Sequence, residues 1–236
     1  MAKHLDLEEQ EQLDELKHFW KQYGDLITWG LIVIFGAFAA WNGYNYWQRD
    51  QAAKAAMMYD EVERAAQSGD TSRLDRAMAD MKERFSGTAF AQQAGLLAAR
   101  TYYDKGNIDA AKVSLIWVAG KSADEGYQAI AKLRLAGLLL EAKAYDEALQ
   151  QLTGTFPKDF VALAADRRGD ILAAQGKKSE ARAEYEKAYK GMDERTEYRR
   201  LVEVKLNALG LNPSAALAPV AAAAAVSPAP APEVKP

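Results

Sequence analysis

Residues 26–48 carry no Asp, Glu, Lys or Arg. Wound as an α-helix at ~1.5 Å per residue, such a run reaches roughly 34 Å, enough for a hydrocarbon core of about 30 Å. Its body reads LITWGLIVIFGAFAAWNGYNYW, from Leu26 to Trp47. Trp29 lies near one end, and Trp41, Tyr44, Tyr46 and Trp47 crowd the other. Indole and phenol rings favour the headgroup boundary, being apolar in body and polar at the tip. The stretch reads as a single transmembrane helix over residues 26–47. Two other readings compete with it. A cleaved signal peptide would use Ala37-Phe38-Ala39 as its small-x-small site, but it needs a basic start. Here the first 25 residues are mostly acidic, and the apolar run continues past that site. A buried core helix is usually shorter and charged on one face.

The rest of the chain is long enough for one sizeable domain. Alanine is abundant, and Pro and Gly are sparse between residues 50 and 210. That favours packed helices over sheet, so the fold class expected is all-α. The net charge is -3 with no basic cluster, and no nucleic-acid partner is expected. There is no cysteine, which excludes disulfides, thiolate catalysis and Cys-based metal sites.

Before the span, residues 5–23 form a short amphipathic helix in this reading. Asp6 and Glu9 match a capping box, and Leu13, Leu16, Phe19, Trp20 and Tyr23 share one face. The helix is expected to end at Gly24. Its acidic character argues against strong attraction to anionic lipid. Lys and Arg counts on the two sides of the span leave orientation open. Within the span, Gly36, Ala40 and Gly43 recur at four and three, a spacing of small residues that lets another helix approach closely.

After the span the sequence is helical and repetitive. One helix is expected to about Ala66, with a break at Ser68-Gly69-Asp70, and a second from about Ser72 to Phe85. Three units follow. Their turns read Gly106-Asn107-Ile108-Asp109-Ala110-Ala111, Ala144-Tyr145-Asp146-Glu147-Ala148 and Gly176-Lys177-Lys178-Ser179-Glu180-Ala181. Ala111, Ala148 and Ala181 align, at intervals of roughly 37 and 33 residues. Period and pattern resemble the tetratricopeptide repeat, a helix–turn–helix unit that stacks into an α-solenoid. The small alanine opens the second helix of each unit and lets the two helices pack closely. Tyr102, Leu139 and Leu172 fill the space between units; Leu115, Leu152 and Tyr185 continue the buried face. A terminal helix from Thr196 to Leu209 would cover the last repeat. From Asn212 the chain turns to Ala and Pro, and a disordered tail is expected over 211–236.

No motif for chemistry stands out. His4 and His18 are isolated, and no P-loop, dinucleotide glycine pattern, GxSxG or HExxH occurs. No metal, cofactor, small-molecule substrate or catalytic residue is therefore expected. Asp166 and Asp170 share a helical face, which on a repeat helix is a solvated or peptide-contacting pair more often than an acid–base pair. What such repeats do is bind protein in a groove lined by their first helices. By resemblance to the repeat family, that face takes Gln93, Leu96, Arg100 and Tyr103 from one unit. Ile130, Leu133 and Leu140 come from the next, then Leu163, Asp166 and Asp170. The competing reading places the apolar members in the core, and Leu96, Leu133 and Leu163 suit either place equally.

The order as a whole resembles one family. An acidic segment, EEQEQLDELKHFWKQYG, precedes one span and a small tetratricopeptide-like domain. This is similar to the YfgM family of Gram-negative inner-membrane proteins, ancillary subunits of the SecYEG translocon. The resemblance implies a cytoplasmic segment over 1–25, the span over 26–47 and a periplasmic repeat domain over 48–210. It implies association with SecYEG and with the membrane-anchored periplasmic chaperone PpiD, in assisting newly translocated envelope proteins. A static scaffold that tethers another envelope complex is the alternative role.

Overall fold

The computed structural model describes residues 7–210. The Asp6 capping box and the tail expected over 211–236 lie outside the described residues. Nine α-helices follow one another among the described residues. They are α1 (Leu7–Ser68), α2 (Thr71–Phe85), α3 (Ala89–Asp104), α4 (Ile108–Lys121), α5 (Glu125–Glu141), α6 (Tyr145–Gln151), α7 (Lys158–Ala174), α8 (Lys178–Gly191) and α9 (Glu197–Ala208). The all-α class is as the sequence reading had it. The described residues divide into two compact units, which part between residues 57 and 58.

In the first unit the helix does not close at Gly24. Gly24 sits inside α1, and a Cβ placed there would lie 3.3 Å from Trp20 Nε1. A lone glycine costs a helix about 1 kcal/mol relative to alanine, which lowers its stability without ending it. Thr28 Oγ1 donates to the Gly24 carbonyl at 2.8 Å, and Asn42 Nδ2 to the Phe38 carbonyl at 2.8 Å. These polar side chains are therefore satisfied by their own helix. Leu31, Ile32, Val33, Ile34, Phe35 and Phe38 are all exposed. Among the described residues this is one helix long and apolar enough to cross a bilayer.

In the second unit, α3 pairs with α4, α5 with α6 and α7 with α8. A small first-helix residue sits at the same register in each pair: Ala99, Ala136 and Gly169. The aligned Ala111, Ala148 and Ala181 open the second helices, all fully buried. The large residue one turn further on is Leu115, Leu152 and then Tyr185, each buried. Volume is conserved across the pair, since the larger Tyr185 meets the smaller Gly169. A Cβ at Gly169 would lie 2.5 Å from Tyr185 Cδ1 and Cε1. The units share a core built around Leu96, Leu115, Leu135, Leu139, Leu152 and Ile171. A second cluster joins α7, α8 and α9 through Leu172, Tyr185, Tyr189, Val202 and Leu206.

The turns also show what the repeat demands. Gly106 and Gly176 hold φ of 76° and 78°, and the equivalent residue of the middle unit is Lys143, at φ 59°. A left-handed conformation brings a Cβ too close to the backbone carbonyl. Replacing Lys143 with Gly should stabilise the protein by about 0.5–1 kcal/mol, read from urea unfolding of the full-length protein in detergent. Gly169→Ala should cost about 1–3 kcal/mol in the same assay by overpacking against Tyr185. Adding Tyr185→Leu, which recreates the Ala–Leu pair of the other two units, should recover most of that loss. A double variant no better than the single one would show that the pairing does not set the helix spacing.

Candidate protein-binding groove

The first helices α3, α5 and α7 lie side by side. A pocket of about 320 Å³ opens along them, lined by Ala99, Arg100, Tyr103, Leu115, Arg134, Gly137, Leu138, Glu141 and Arg167. Tyr103 and Glu141 close one side, the phenol donating to Glu141 Oε2 at 2.9 Å. That bond, with the carboxylate's charge, holds the Tyr103 phenol above its usual range. Arg134 joins the lining from α5 and is exposed overall. Burial disfavours its charged form, and the like charge of Arg100 adds to this. The Arg167 guanidinium passes over Gly137, where a Cβ would stand 3.9 Å from Cζ.

Of the residues expected on the groove face, Arg100 and Tyr103 line this pocket. Gln93 is half-buried and donates through Nε2 to the Tyr127 hydroxyl at 2.7 Å, tying α3 to α5. Leu96 is buried in the shared core, and Ile130, Leu133 and Leu140 pack against that core half-buried. Leu163 lines a separate recess of about 620 Å³ beside Gly191, Met192 and Tyr198. Gly36, Ala40 and Gly43 lie exposed on α1, and a Cβ at either glycine would meet nothing within 4 Å.

Asp166 and Asp170 are brought together, but beneath α9. Asp166 is 2% exposed. Lys205 Nζ donates to both of its carboxylate oxygens at 2.8 and 2.9 Å and to Asp170 Oδ1 at 2.6 Å. The Tyr198 hydroxyl donates to Asp166 at 2.7 Å and the Tyr185 hydroxyl to Asp170 at 2.8 Å. Burial and the carboxylates push both phenols well above their usual range. Chain-internal donors therefore occupy this pair, and α9 stands between it and any ligand.

Arg134, Arg167, Gly137 and Glu141 were not among the residues expected on the groove face. A signal for the two arginines was present. They stand 14 residues before Ala148 and Ala181 respectively, the same register in consecutive units. Charge at a repeated first-helix position marks the exposed groove side.

The tetratricopeptide repeat-like domain family matches residues 17–211. The chain is 34% identical over 213 residues to an ancillary SecYEG translocon subunit of Neisseria gonorrhoeae, covering 89% of this chain and 100% of that protein. The chain belongs to this family. It is the YfgM family of the resemblance drawn above. An Escherichia coli member, also an ancillary SecYEG translocon subunit, is 27% identical over 86% of this chain and 97% of its own. A Haemophilus influenzae member of the same name is 28% identical over 86% of this chain and 98% of its own. No solved structure matches.

The acidic seat of Lys205 makes the attachment of α9 testable. Lys205→Met leaves Asp166 buried with its cation gone. Removing one partner of a buried ion pair is strongly destabilising; with Lys205 21% exposed we expect about 2–4 kcal/mol. Hydrogen exchange should rise first across α9. Adding Asp166→Asn should recover part of the loss, and an α9 that stays protected in Lys205→Met would show that apolar packing alone holds it.

Proposed function

We propose that this protein is an ancillary subunit of the SecYEG translocon that binds polypeptide in the groove along α3, α5 and α7. The observation that carries the reading is the family match along almost the whole chain, joined to an open first-helix pocket. In this reading residues 1–25 are cytoplasmic, 26–47 cross the inner membrane and 48–210 are periplasmic. Nothing in the groove requires catalysis; its work is to hold protein. A periplasmic chaperone of the PpiD kind is the proposed partner, and newly translocated envelope proteins are the proposed clients. Gly36, Ala40 and Gly43 offer a face on which a translocon helix can pack closely, since small residues let backbones approach. Arg100 and Tyr103 lie in the pocket that would hold the polypeptide. Leu96, Ile130, Leu133 and Leu140 support it from the core, and Gln93 fixes α3 against α5.

Topology and contact can be tested in one cell system. Protease added to spheroplasts should digest residues after about Arg49 and spare the N-terminal segment, as the proposed orientation requires. A photocrosslinking residue at Tyr103 or Leu138 should give adducts with a chaperone or a translocating chain, and one at Gly36 with a SecYEG subunit. Adducts from Gly36 without any from the groove would favour the static scaffold. Protection of the repeat domain until the inner membrane is opened would overturn the reading.

A further inference from the structure

We infer that the pocket between α3, α5 and α7 recognises carboxylate side chains in an otherwise apolar polypeptide segment, with Arg134 as the anchor. This rests on the groove being the polypeptide-binding face. Arg100, Arg134 and Arg167 reach the one pocket from three helices. Their present partners leave positive charge over. The Arg100–Asp104 pair is 3.7 Å long with both side chains largely exposed, an arrangement worth little in water. Arg167 meets Asp170 at 3.6 Å, but Asp170 already accepts from Lys205 and Tyr185. Arg134 has no ion-pair partner among the described residues; its Nη1 reaches the Leu96 carbonyl at 3.5 Å, the limit of a hydrogen bond.

Arginine keeps its proton under all ordinary conditions. Arg134 is exposed overall, and the like charge of Arg100 beside it favours the arrival of an anion. A carboxylate suits the site because its two oxygens match the planar guanidinium fork. The floor asks for more than a bare anion. Ala99, Leu115 and Leu138 present apolar surface beside the cations, and Gly137 keeps the space between helices open. Glu141 is the acidic side chain of the lining, and its bond from Tyr103 fixes it at one edge. A ligand must then bring apolar groups and its carboxylate to the Arg134 side. A polypeptide segment with acidic residues among leucines does so.

The test uses full-length protein in phosphatidylcholine nanodiscs and fluorescence anisotropy. The probe is a short fluorescein-labelled peptide of alternating leucine and glutamate, beside the same peptide with glutamine for glutamate. We expect the glutamine peptide to bind at least about tenfold more weakly, the loss of one charge-assisted contact. Arg134→Gln should bring the glutamate peptide to the same weak affinity, and Arg134→Lys should restore part of it through charge without the fork. Equal affinity for the two peptides, binding of neither, or an Arg134→Gln variant that binds like the unaltered protein would overturn the inference. Loss of binding to phosphatidylglycerol vesicles in Arg134→Gln, with peptide binding unchanged, would overturn it in favour of a phosphate headgroup. The peptide comparison on unaltered protein decides even where a variant unfolds. Co-purification of the unaltered protein with SecYEG separates the two levels. Its presence with failed peptide selectivity overturns only the ligand chemistry, and its absence removes the translocon reading.

Discussion

The closeness of the two helices in each repeat is the constraint on which the second unit depends. It depends on small and large residues at matched registers, Ala99 and Leu115, Ala136 and Leu152, Gly169 and Tyr185, all buried, with Tyr185 lying directly over Gly169. Protein interiors are packed to crystal-like density, so such pairs have little slack. When the spacing within each helix pair is fixed, the first helices come to lie beside one another. Arg134 and Arg167, 33 residues apart in sequence, then reach the same pocket. The groove is thus a consequence of the core. Its charged side chains need no scaffolding of their own beyond Gly137, which leaves the Arg167 guanidinium its path.

The end of the solenoid is closed differently. Val202 and Leu206 of α9 are fully buried, which gives the helix apolar attachment to α7 and α8. Beside them Lys205 enters between two carboxylates, with two phenols completing the shell. A buried ion pair is weak support for stability, because desolvation opposes the Coulomb attraction. It is strong support for register: sliding α9 by one residue strands Asp166 without a donor. Apolar contacts fasten the helix, and the charged set fixes its register on α7. No residue of α9 lines the pocket at Arg134.

The sequence made the architecture legible because the repeat is written in residue size. Aligned alanines and the large residues four positions later are visible without coordinates, and so are the helix breaks at Gly69, Gly106 and Gly176, each with positive φ. The groove was less legible. Arg100 and Tyr103 were found because the first-helix face is known from the period. Asp166 and Asp170 stand on that same face, yet their donors Lys205 and Tyr198 are 32 to 39 residues further along. No periodicity within the repeats announces a contact with the terminal helix, so a sealed acidic pair looks like an open one. Gly24 misled for the opposite reason. Glycine permits a helix end but does not impose one, and here the next turn, with Thr28 bonded to the Gly24 carbonyl, carries the helix through.

The apolar run of α1 limits how the groove has to work. Leu31, Ile32, Val33, Ile34, Phe35 and Phe38 stand exposed, and each such side chain gains about 1.5–3 kcal/mol on leaving water. Six together come to about 9–18 kcal/mol, comparable to the whole stability of a typical domain, of order 5–15 kcal/mol, so this surface belongs in lipid or against another membrane helix. A protein held at the membrane meets its partners at high effective concentration, and a weak contact then suffices. Weak and fast is also what a carboxylate on a partly exposed guanidinium provides. Exposed ion pairs are worth about 1 kcal/mol or less, and Arg134 is exposed, so such a contact is not permanent. In the proposed reading, polypeptide segments are held and released in turn, with the membrane anchor, not the affinity, deciding where this happens.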